Sequence, residues 1–129
     1  MRELKDKMSK TKIDFNKRST CPLNSWLELF GDKWTLLIIR DMTIFGKKHF
    51  KDFMQSEEKI STNILADRLK KLEENGIVQK DSNKTNKLLN DYNLTPRALS
   101  MAPVFEEICR WSQDNIENVR EISNPDMAI

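Results

Sequence analysis

The segment from Ile60 to Thr95 constrains the fold more than any other part of this chain. From Ser61 onward, Leu65, Leu69 and Leu72 recur at steps of four and three, which places them on one narrow stripe of an α-helix, and Ile64 widens that stripe on one side. Ser61 suits the N-cap, where its hydroxyl can accept from a free first-turn amide, and Gly76 suits the position just past the helix end, where φ is often positive. Ile77-Val78 then has strand character, residues 80–87 are polar and turn-prone, and Leu88 to Leu94 can return as a second strand. Helix, strand, loop, strand is the order of a winged helix. The expected fold class is therefore mainly α (α+β), a winged helix-turn-helix domain with a two-stranded wing and flanking N- and C-terminal dimerisation helices.

Turning the helix by roughly 100° per residue puts Thr62, Asn63, Ala66, Asp67 and Lys70 away from the leucine seam. Asn can pair bidentately with adenine, Thr can bond a base edge or touch a thymine methyl, and Ala leaves room for close approach to a groove. A plain solvated helix face has the same composition, and a structural ribbon has the same pattern as a wing. The rest of the chain has to separate these readings.

Before the seam, Pro22 opens a first helix in which Leu23, Trp26, Leu27 and Phe30 follow helical spacing and Gly31 stops it. A second helix from Lys33 to about Phe45 is apolar almost all round, as suits the centre of a domain, and Gly46 ends it. A short third helix carries Phe50, Phe53 and Met54 and leads through residues 57–59 into Ser61, so the third and fourth helices form the helix-turn-helix. Thr95-Pro96 starts a long final helix running toward Ile122, kinked or restarted at Pro103, with Val104, Ile108, Trp111, Ile116 and Val119 as its apolar stripe. A second copy of the chain is the simplest cover for that stripe, although it can also pack on the first helix. The division that follows is a basic arm or short helix over 1–20, with Leu4, Met8, Ile13 and Phe15 scattered through it. A DNA-binding domain over 21–96, a dimerisation helix over 97–122 and a tail over 123–129 complete it.

At 129 residues with 38% hydrophobic composition the chain is one domain with a modest core. The net charge of +2 says little, but its distribution says more. Residues 1–20 hold seven Lys/Arg against three Asp/Glu, residues 33–87 twelve against eight, and residues 88–129 three against seven. The basic middle would face phosphate and the acidic end would point away from it. A single histidine, three glycines and no paired Cys/His spacing argue against an enzyme, a metal site and a cofactor. Two distant cysteines, no apolar run of membrane length and no secretory signal suggest a reducing cytoplasm.

Several short motifs occur in order: Cys21-Pro22, Gly31-Asp32-Lys33-Trp34-Thr35, Gly46 with Phe50, Ile60-Ser61, Leu65, Arg68-Leu69, Leu72-Glu73, Gly76-Ile77-Val78, Tyr92-Asn93-Leu94-Thr95 and Trp111. Together, over roughly residues 21–111, the chain resembles the HxlR family of bacterial winged-helix transcriptional regulators. The resemblance implies a homodimer that binds double-stranded operator DNA and switches genes, sometimes through a cysteine at the Cys-Pro position that senses electrophiles or oxidants. Cys21 occupies that position, with Lys17 and Arg18 nearby in sequence to favour thiolate, and a small structural cysteine is the competing view. Cys109 beside Ile108 reads as core or dimer interface.

The chain departs from the family pattern at three points. His49 replaces the basic residue before Phe50, Ala98 replaces a glycine, and the wing carries Lys84-Thr85-Asn86-Lys87 without the arginines common in relatives. The candidate DNA-contacting set is Thr62, Asn63 and Lys70 at base edges or nearby phosphates, Ser61 at the helix start, and Lys33, His49, Arg68, Lys84 and Lys87 on the backbone. Arg68 lies beside the buried seam. A winged helix that binds protein without reading DNA is the alternative, because fold does not fix function. The operator, the direction of regulation and any small-molecule effector stay open.

Overall fold

The computed structural model describes residues 12–121. In chain order these form α1 (Pro22–Phe30), α2 (Thr35–Thr43), α3 (Phe50–Phe53), α4 (Thr62–Glu74), β1 (Val78–Asp81), a 3-10 turn (Lys87–Leu89), β2 (Asp91–Leu94), α5 (Pro96–Leu99) and α6 (Ala102–Asn115). Leu4 and Met8 lie outside the described residues. The part of the basic arm that is described, residues 12–20, holds no helix, and its Ile13 packs against the core.

The leucine seam of α4 is the centre of the core. Leu65, Leu69 and Leu72 are buried with Phe53 of α3, Ile38, Ile39 and Met42 of α2, Phe30 of α1 and Ile77, Val78 and Tyr92 of the hairpin. Both ends of α4 follow from local chemistry. The Ser61 hydroxyl accepts the Ile64 amide at 3.2 Å, and Gly76 takes φ +71 so that the Ile77 amide can return to the Leu72 carbonyl at 2.9 Å. Thr95 repeats the device for α5, receiving the Ala98 amide at 3.4 Å while its own hydroxyl donates to Gly76 O at 2.6 Å.

The hairpin pairs β1 and β2 antiparallel, with Val78 opposite Leu94 and Lys80 opposite Tyr92. A third, minimal strand joins it. Tyr92 donates to Lys48 O at 2.8 Å and Phe50 to Asn90 O at 3.1 Å, on either side of a single bridge between His49 and Asp91. The wing is thereby fastened to the start of α3 as well as to the end of α4.

The elements differ from the sequence expectation in three places. The returning strand begins at Asp91 rather than Leu88, because Asn86 accepts the Leu88 amide and coils Lys87–Leu89 into the 3-10 turn. The second helix is shorter, Thr35–Thr43; none of its residues is exposed, as expected, with six buried and Leu36, Leu37 and Arg40 half-buried. It also buries a carboxylate, Asp41, which is paired with Arg40 at 2.7 Å and Lys47 at 3.4 Å. The final helix restarts at Pro103 as expected, after Pro96–Leu99, but stops at Asn115, leaving Ile116 and Val119 beyond it, where Asn118 turns the chain at φ +61.

Candidate nucleic-acid interface

Side-chain tethers hold α4 against the domain and decide which of its cations face solvent. Asp32 accepts the Trp34 amide at 2.8 Å, the Thr35 amide at 3.0 Å and the Thr35 hydroxyl, fixing the start of α2. Arg68 Nε donates to the same carboxylate at 3.1 Å, and Arg68 Nη1 to Asp67 at 2.5 Å. Burial alone would raise the Asp32 carboxyl, but the hydrogen bonds from Thr35, the Trp34 amide and Arg68 outweigh it and hold the group at about 2. Lys71 Nζ reaches the Glu28 carbonyl of α1 at 3.1 Å. At the other end of α2, Arg40 donates both terminal nitrogens to Glu58 in the turn before α4, at 2.7 and 2.8 Å. That turn passes through Lys59 at φ +57, a left-handed conformation in a non-glycine residue.

The consequence for the candidate residues is unequal. Of the cations Arg68, Lys70 and Lys71, only Lys70 has no hydrogen bond or ion pair among the described residues. Thr62, Asn63, Ala66, Asp67 and Lys70 are all exposed on one face, as helical spacing predicts. Arg68 is bound to Asp32 and Asp67 and tethers α4 to the start of α2. Ser61 is exposed, and its oxygen is engaged as the cap. Lys33 is exposed, with its ammonium 5.3 Å from the Trp34 ring centroid.

His49 also has an internal partner. Its Nδ1 lies 2.6 Å from Asp91 Oδ1, both atoms being shielded from solvent. The contact lacks the alignment of a hydrogen bond and is a close histidine–carboxylate pairing between the residue before α3 and the first residue of β2. The imidazole therefore joins α3 to the wing.

In the wing, Asn83 Oδ1 accepts the Thr85 amide at 3.0 Å, the Thr85 hydroxyl at 2.8 Å and the Asn86 amide at 3.0 Å. The Asn83 amide in turn donates to Asn90 Oδ1 at 2.7 Å. Lys84 and Lys87 are exposed on this ordered loop. Between α4 and the wing lies a groove of about 520 Å³, where Thr62 and Lys70 of α4 meet Lys87 and a further cation, Lys80 of β1. Lys80 was hidden in the sequence by its polar neighbours, which made the segment look like turn; β1 is exposed throughout after Val78, so no alternation marked it as strand.

Cys21 is exposed at the N-cap of α1, its carbonyl accepting the Ser25 amide and hydroxyl at 3.0 Å each. The neighbouring cations have other partners. Arg18 binds Asn24 at 2.6 Å and lies 3.7 Å from Glu28, and Lys17 donates to the Phe15 carbonyl at 3.2 Å. Cys109 is half-buried on α6, and burial pushes its thiol up.

Comparison with known proteins gives a consistent set of relatives. The family model described as HxlR-like helix-turn-helix matches residues 29–120. The HTH-type transcriptional regulator YodB of Bacillus subtilis is 34% identical over 98 residues, which is 75% of this chain and 87% of YodB. Among solved structures, PA1607 matches with a TM-score of 0.67 and 29% identity, over 82% of this chain and 72% of that one. Quinone-bound YodB matches with a TM-score of 0.59 and 32% identity, over 74% of this chain and 99% of that one.

Proposed function

This chain belongs to the HxlR-like helix-turn-helix family of DNA-binding transcription regulators, and on that premise we propose that it acts in the cytoplasm as a homodimer whose two α4 helices read paired half-sites of operator DNA. No helix among the described residues is long and apolar enough to cross a membrane. The observation that carries the interface is the single exposed face of α4. Thr62, Asn63 and Ala66 stand clear of the domain there, and Lys70 is left uncommitted while Arg68 and Lys71 are tied down. Thr62 and Asn63 read base edges, while Lys70, Lys80 and Lys87 hold the sugar-phosphate strand that passes between helix and wing. Lys33 and Lys84 add outer phosphate contacts.

The dimer rests on a second observation. None of the residues of α6 is buried, and Val104, Ile108 and Trp111 are 40%, 43% and 63% exposed; Leu23 and Leu27 of α1 are 67% and 44% exposed. Large apolar side chains in such number at helical spacing mark a surface that is covered by another chain. The exposed Cys21 thiol precedes α1, so its modification by an electrophile would act on an element of that surface. YodB, a relative of this chain, matches in a quinone-bound form.

Salt dependence of duplex binding tests the interface. Each phosphate contact contributes roughly 0.9 to the slope of log affinity against log salt. The double variant Lys70→Ala/Lys80→Ala is expected to lose about two such increments, and an unchanged slope removes the groove lysines from the interface. For the thiol, Cys21→Ser should bind DNA normally and no longer respond to a quinone. An undiminished response removes Cys21 from the switch.

A further inference from the structure

The groove between α4 and the wing has a floor that a phosphodiester does not require. Phe50 is half-buried there and Leu88 is 44% exposed, with Tyr92 behind them. Around this floor stand Lys70, Lys80 and Lys87 against one carboxylate, Glu73. Elsewhere on the domain several cations are neutralised at home, Arg40 by Glu58 and Asp41, Lys47 by Asp41, and Arg68 by Asp32 and Asp67, while others such as Lys33 and Lys84 are exposed without an ion pair among the described residues. The three groove lysines have no ion pair among the described residues, so the groove carries a positive surplus over an apolar base. Its volume, about 520 Å³, falls in the range of small-molecule sites, roughly 300–1,000 Å³, in which a mostly apolar lining binds and a few polar groups orient.

We propose that this groove is an effector site for a planar aromatic anion of the arene-carboxylate or phenolate class. The ring lies on Phe50, Leu88 and Tyr92, and the anionic group faces the lysine ammoniums. Size, apolar floor and surplus charge each select for this class: a small inorganic anion leaves the floor wet, and a neutral arene leaves the ammoniums unpaired. Lys70 and Lys87 also belong to the proposed DNA interface, so an occupied groove and a bound duplex exclude one another and the ligand releases DNA by mass action. That coupling rests on the DNA reading above; ligand binding itself does not.

The test is a titration of the full-length protein, without DNA, with naphthoate, followed by backbone amide chemical shifts. Naphthalenemethanol supplies the ring without the charge, and acetate the charge without the ring. Naphthoate should give saturable shifts confined to the amides of Thr62, Ala66, Lys70, Lys80 and Leu88, with both controls roughly tenfold weaker or worse. Leu88→Asp, a change at an exposed position, should weaken naphthoate by a similar factor in a protein whose remaining spectrum is that of the folded wild type. Shifts saturating on another surface, an equal response to acetate, or undiminished binding by Leu88→Asp would overturn the site. In a second step naphthoate should raise the apparent Kd for duplex DNA in proportion to groove occupancy. Groove binding with unchanged duplex affinity would leave the site standing and overturn its coupling to DNA.

Discussion

Glu58→Ala should loosen the seat of the reading helix by an amount the geometry allows to be worked out. Glu58 lies in the turn between α3 and α4 and accepts both terminal nitrogens of Arg40 at 2.7 and 2.8 Å. A hydrogen bond to a charged group contributes about 1.5–3 kcal/mol to stability. Glu58 is 34% exposed, so solvent screens part of that, and Asp41 still holds Arg40 at 2.7 Å, so no bare buried charge is left. The expected loss is about 1–2 kcal/mol, or roughly 3–8 °C in Tm for a chain of this size. The pH dependence identifies the cause. Hydrogen bonds from Arg40 hold the Glu58 carboxyl at about 2 against an ordinary 4.5. A carboxyl depressed in the folded state contributes stability above its unfolded value and loses it as pH falls through the folded one. Urea denaturation of wild type and variant should therefore show the full difference near neutral pH and a shrinking one between 4.5 and about 2. No difference at neutral pH, or the same difference in acid, would refute an ionic tether.

Three further outcomes follow from the interface and the dimer. Asn63→Ala should cost roughly 1–3 kcal/mol on the preferred site and relax specificity there, whereas equal losses on specific and random duplexes would deny it a base contact. Lys84→Ala should weaken all sequences alike and lower the salt slope by about 1, read by fluorescence anisotropy over a salt series. Trp111→Glu places a charge in the exposed stripe of α6 and should halve the mass measured by light scattering with little change in monomer stability. A variant that keeps the wild-type mass would move the dimer contact elsewhere.

The parts of the fold legible in the sequence are those whose causes are local. The helix α4 announced itself through the Ser61 cap, the Leu65, Leu69 and Leu72 seam and Gly76, and all three perform as their chemistry suggests. The end of α6 was not legible, because the apolar spacing continues to Val119 while the backbone leaves the helix at Ile116. Leu88 looked like strand because it is apolar, yet Asn86 draws its amide into a turn. Within the site, spacing found the outward face of α4 but could not assign its cations. Arg68 is claimed by Asp32, 36 residues earlier, and His49 by Asp91 across the sheet, and pairings at such separation leave no periodic trace. Asp41 was missed for another reason: its partners Arg40 and Lys47 stand one and six residues away, off the helical spacings of three and four at which ion pairs are read from sequence.

Selection of bound duplexes from a random pool tests the central claim most directly, because it asks for reading and duplication at once. A homodimer that inserts one α4 per half-site should enrich an inverted repeat whose half-sites lie about 10–10.5 base pairs apart or a multiple of that, and Asn63→Ala should blur the motif at one position in each half. Recovery of no motif, or of a single unrepeated site, would contradict a dimer reading DNA through α4.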